Sequence, residues 1–174
     1  MEARSLHLLS PAQHAVLNTL TVTPEQEVMG GSFEETLCAW KAGPSDQVLG
    51  VGFFLNAQPV GVTLFKRPPM SPSWVRMDAA SIHGLKIAQP LQGQGWGHRA
   101  MSLALEALGS AWPDVRHLML AVDASNIAAL SVYRRAGLSD SGPVFQGPNG
   151  SEHRMEMTLP APKPQSQEPD HADH

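Results

Sequence analysis

Three glycines at alternate positions, Gly93, Gly95 and Gly97, follow a β-type run and open a helix-type run. The whole stretch reads Leu85-Lys86-Ile87-Ala88-Gln89-Pro90-Leu91-Gln92-Gly93-Gln94-Gly95-Trp96-Gly97-His98. Unpaired N–H groups at a helix start converge on one point, where the helix dipole favours an anion. Glycine lets the backbone take positive φ and approach a phosphate closely. The pattern therefore suits a phosphate-bearing cofactor, and a tight turn without a ligand is the plainer alternative. It is not a nucleotide phosphate loop, because no Gly-Lys-Ser/Thr follows. Nor is it the dinucleotide fingerprint, since the glycines alternate and His98 comes next.

A second block lies downstream: a strand-type run, then Asn126, then Tyr133 seven residues later, then Gly137-Leu138. Together the two blocks resemble the GNAT superfamily of N-acetyltransferases. Its signature Gln/Arg-x-x-Gly-x-Gly/Ala is matched by Gln92, Gly95 and Gly97, and the resemblance covers roughly residues 47–159. It implies an α/β fold: a central, mixed but mostly antiparallel twisted sheet of six to seven strands, flanked by helices. A splayed parallel strand pair would mark the cofactor site. It also implies acetyl-CoA as co-substrate. The backbone of Leu85, Lys86 and Ile87 would run beside the pantetheine arm. The turn formed by Gln92, Gly93, Gln94, Gly95, Trp96, Gly97 and His98 would hold the pyrophosphate. Asn126 would meet cofactor or backbone, and Tyr133 would touch the cofactor and protonate the leaving thiolate.

Transfer of an acetyl group to an amine needs a neutral amine, although an alkylammonium has a pKa of about 10.4. It also needs a polarised thioester carbonyl and a proton for the departing thiolate. His83, two residues before Leu85 and in its alternation phase, is the histidine placed to act as base, and a packed strand histidine is the competing reading. Glu34 and Glu35 lie on the acceptor side, but Glu35 is explained by a capping box and Glu34 by solvent. A water chain can serve instead. Relatives that acetylate ribosomal N-termini carry a glutamate five residues before the Asn; here that residue is Ala121, which argues against that substrate class. The expected activity is direct transfer to the primary amine of a small molecule. Acetylation of a protein lysine or N-terminus is the second reading, and a non-enzymatic acyl-CoA sensor the third; Tyr133 argues against the sensor.

The elements that must position these residues are legible in outline. A short strand is expected at 5–9. Ser10-Pro11 with Gln13, Thr23-Pro24 with Gln26, and Ser32 with Glu35 are capping boxes that start helices at 11–20, 24–29 and 33–41. A hairpin occupies 47–55 and 60–66, a proline-rich loop 67–77 and a strand 79–87. After the glycine turn come a helix to about 110, a buried strand at 117–122, a helix at 126–136 and two final strands. One domain, 1–159, is expected, with a disordered Pro/Asp/His tail over 160–174; His171 and His174 there are read as solvated, not as metal ligands.

Bulk properties fit this reading. With 42% hydrophobic and 16% charged residues, the 174-residue chain is ordinarily globular. A net charge of −4 gives no basic footprint for nucleic acid. The apolar stretch 48–65 is broken by Asn56, Gln58 and Pro59, so no membrane span is expected. The single Cys38, read as packing, suits a reducing cytoplasm. No signal peptide is visible at Met1-Glu2-Ala3-Arg4. Monomer and homodimer are both compatible with the sequence.

Overall fold

The computed structural model describes residues 1–161. Nearly all of the expected tail, with His171 and His174, lies outside the described residues. All three capping boxes form, each with the hydroxyl accepting from the third helical N–H and the Gln or Glu side chain returning the bond. They start α1 (Pro11–Thr19), α2 (Pro24–Gly30) and α3 (Phe33–Ala42). Each box satisfies two amides that would otherwise lack partners.

The first strand, β1 (Glu2–Ser5), comes earlier than expected and is followed by a 3₁₀ turn over Leu6–Leu8. Leu6 and Leu9 are buried there while Leu8 is exposed. That spacing of three defeats the alternation a strand would need.

β2 (Val48–Leu55), β3 (Gln58–Lys66), β4 (Ala79–Ile87), β5 (His117–Asp123) and β8 (Gly150–Thr158) build the sheet. With β6 (Ser139–Asp140) at its far edge, its order is β1-β2-β3-β4-β5-β8-β6, and among the described residues the β4–β5 pair alone is parallel. The sheet has eight strands, because the region before β8 holds two short ones, β6 and β7 (Phe145–Gly147), both pairing with β8. Gly142, at φ 81°, and the adjoining Pro143 divide them.

Two apolar layers cover the sheet. On one face α4 (Trp96–Ala111) and α5 (Ile127–Arg135) press Met101, Leu108 and Leu130 onto Leu118, Leu120 and Met155. On the other, α1 and α3 press Leu17, Phe33 and Leu37 onto Phe54, Val62 and Leu64. Each such burial is worth about 1.5–3 kcal/mol. Cys38, expected inside, is exposed on α3, because Phe33, Leu37 and Trp40 form that helix's buried stripe.

Candidate cofactor and transfer site

The parallel strands pair over Ala79–Ser81 and His117–Met119 and no farther. Beyond Ser81, β4 continues on β3 while β5 continues on β8, so the two part. Strand backbone left without a neighbour carries free N–H and C=O groups.

A bulge within β4 sets what faces this gap. Leu64 pairs with His83 and Val62 with Lys86, so Thr63 stands opposite two residues. Gly84 takes φ 59°, a conformation glycine adopts without steric cost. One extra residue inverts the alternation. Leu85 and Ile87 therefore pack on the α4/α5 side, while His83 and Lys86 share the opposite face with Leu64 and Val62. The expectation that His83 has the phase of Leu85 and Ile87 fails for this reason.

A cavity of about 440 Å³ opens from the gap. Leu85, Lys86 and Ile87 line one wall; Asn126, Val132 and Tyr133 of α5 line another. Gln92, Gly93, Gly95, Trp96, Gly97 and His98 form its mouth. Gln94 is not among its lining residues; its amide donates to Pro90 O at 3.4 Å. Gly95, the residue before α4, has φ 84° and supplies no side-chain cap. Among the described residues a Cβ at Gly93 or Gly95 would meet nothing within 4 Å, which leaves space before the α4 amides. Arg135 donates to His98 Nε2 at 3.0 Å on the same rim. Amides, helix dipole and Arg135 suit phosphates, and the apolar Leu85, Ile87 and Val132 suit a thin uncharged arm.

Gln92 is tied within the protein. Its amide donates to Ile87 O at 2.8 Å and exchanges two 3.0 Å hydrogen bonds with Gln26 of α2. Asn126 caps α5, its Oδ1 accepting from Ala129 N at 3.1 Å. Tyr133 is buried, and burial pushes its phenol up to about 12, so it stays a proton carrier at any ordinary pH.

His83 does not line the cavity. Its Nε2 lies 2.7 Å from Ser81 Oγ, and burial, helped by nearby Lys66, pushes it down to about 4. Glu35 serves its capping box and Glu34 is exposed. Lys86 is buried beneath the α2–α3 junction, donating to the carbonyls of Gly30, Gly31 and Ser32 at 2.7–2.9 Å.

The sequence profile described as the acetyltransferase (GNAT) family matches residues 13–138. The chain belongs to this family. Membership makes this GNAT protein an acyltransferase with acetyl-CoA as its co-substrate. No curated protein matches the chain in sequence. Solved structures share its fold. The aminoglycoside acetyltransferase AAC(6')-Ib in complex with coenzyme A has a TM-score of 0.71 at 18% identity, over 90% of this chain and 94% of that one. The GNAT domain of S. lividans PAT has a TM-score of 0.67 at 16% identity, over 90% and 89%. An acetyltransferase from Thermus thermophilus has a TM-score of 0.64 at 18% identity, over 91% and 98%. Among the described residues no helix is long and apolar enough to cross a membrane, and no group of three or more side chains could hold a metal.

The sequence reading missed Gln26, Arg135 and the side-chain role of Lys86. Gly84 inside a strand run was the one available signal of a bulge.

Proposed function

We propose that the protein moves the acetyl group of acetyl-CoA directly to the primary amine of a small molecule. The observation that carries this is one continuous cavity joining the α4 turn, the unpaired β4 backbone and Tyr133. The α4 amides, with Arg135 and His98, hold the phosphates, and Leu85–Ile87 direct the thioester toward the gap. A β4 amide polarises its carbonyl as the amine nitrogen attacks the carbonyl carbon. The C–S bond breaks, Tyr133 gives its proton to the sulfur, and the proton lost by nitrogen passes to solvent and restores the phenol. His83, neutral and outside the cavity, has no part in this. The amine arrives from the face covered by α2 and the 67–77 loop. A small amine as acceptor accords with the aminoglycoside acetyltransferase among the structural neighbours.

Coenzyme A release measured with a panel of amines and peptides tests the proposal. Turnover with amines above the peptides supports it. Turnover confined to peptides moves the assignment to protein acetylation, and acetyl-CoA binding without any turnover leaves a sensor.

A further inference from the structure

Arg154 of β8 stands opposite Ala121 of β5. Their neighbours Met155 and Leu120 pack under α4 and α5, so alternation turns Arg154 and Ala121 to the other face, the one that carries His83. The β4–β5 pairing has ended two residues earlier, at Met119. Arg154 therefore flanks the gap on the side from which an acceptor comes.

The guanidinium is clamped between two rings, with Cζ 4.1 Å from the centroid of Trp74 and 4.1 Å from that of Phe145. Its Nε and Nη2 are buried and have no hydrogen-bond partner among the described residues. The neighbouring acids on β8 do not take them: Glu156 accepts from Arg76 at 3.2 Å, and the Glu152 side chain lies against Gly147. Leaving a buried donor unpaired costs about 1–3 kcal/mol, more for a charged group. Stacking fixes the plane in which a partner must approach. Nε and Nη2 form one planar edge, and its two parallel N–H groups match the two oxygens of a carboxylate.

Resting on the transfer reading above, we infer that this edge binds a carboxylate on the acceptor, which is a small aminocarboxylate. Its carboxylate pairs with Arg154, and its amine points across Ala121 toward β4. β8 and β5 are paired neighbours and β4 lies beyond the splay, so more than two strand spacings, over roughly 10 Å, separate β8 from β4, a span for the arginine side chain and the acceptor's carbons together. Ala121 between them is small and only partly buried. Phe145, 38% exposed, rides on the three-residue β7 and can yield to an entering carboxylate.

Calorimetry on the full chain saturated with coenzyme A, which permits no turnover, tests this. The probes are the protein α-amino acids and the linear ω-amino acids from β-alanine to 6-aminohexanoate, each beside its carboxamide. At least one acid should bind about tenfold or more tightly than its amide, as a bidentate charged pair requires. Arg154→Lys keeps the charge but loses the planar edge, and should cut that preference to about threefold or less while coenzyme A affinity holds. A preference below tenfold in every pair, or one that survives in folded Arg154→Lys, overturns the inference. Should Arg154→Lys not fold, the acid–amide comparison in the parent decides alone. Failure of every amine and peptide to release coenzyme A from acetyl-CoA would sink the transfer reading separately, because the binding comparison needs no turnover.

Discussion

The ammonium of Lys86 lies 2.8 Å from the hydroxyl of Thr36, a residue fifty positions earlier on α3. With the three carbonyls of the α2–α3 junction, this contact fastens α2 and α3 to β4. α2 buries no residue of its own, so polar ties from Lys86 and Gln92 seat it. Burial pushes Lys86 down to about 8, while Glu35 and Glu27 act to keep it charged. Four oxygens within hydrogen-bond reach favour the ammonium, which alone has three donors.

Lys86→Met should loosen α2 locally. Its amides should exchange about 10- to 100-fold faster, as expected when a charged hydrogen-bond hub is lost. Amides of β5 and β8 should change little in the same hydrogen-exchange experiment. Uniform acceleration throughout would mean that Lys86 supports the whole fold instead.

Tyr133→Phe removes a hydroxyl and leaves the ring in its packing. Turnover should fall about 10²–10⁴-fold, the usual worth of a positioned proton donor. Acetyl-CoA affinity should change by about 1 kcal/mol or less. In the parent, kcat/KM should rise with pH as the acceptor amine deprotonates. Because Tyr133 is held up to about 12, it should add no falling limb below pH 10. A variant within about threefold of the parent would make solvent the acid.

His83 predicts a stability profile in place of a catalytic one. Its folded pKa is lowered to about 4, below an unfolded value of about 6.5. Between those values the unfolded chain binds more protons, so this contribution is whole above pH 6.5 and is lost as pH falls toward 4. The loss is on the order of 2–3 kcal/mol. Urea midpoints from pH 7 to pH 4 should drop in the parent and drop less in His83→Gln. Turnover of folded His83→Gln at pH 8 should stay within about threefold; a loss of about a hundredfold or more would make His83 the base.

Gly95→Asp tests the turn. A Cβ there meets open space, but the left-handed φ costs roughly 1–2 kcal/mol, and a carboxylate would stand before the α4 amides. Acetyl-CoA at about 100 times its dissociation constant should stabilise the parent by about 2.7 kcal/mol, read as a shift in Tm. The variant should show no shift, and an undiminished one would place the phosphates elsewhere.

What the sequence determined here is what neighbouring residues decide among themselves. Ser10, Thr23 and Ser32 each reach a partner three residues on, and Gly93 and Gly95 need only their own backbone freedom, so three helix starts and the glycine turn before α4 were legible in order. The family motif added the roles expected of Asn126 and Tyr133. The tertiary structure decided which face each β4 side chain takes, because the Gly84 bulge exists only against Thr63 on another strand. That single offset carries Lys86 under α2 and separates His83 from Leu85. The clamp on Arg154 likewise joins Trp74, Phe145 and β8, which meet only once the sheet has formed. Long-range pairing sets register, and register, with its period of two, sets which chemistry faces the gap.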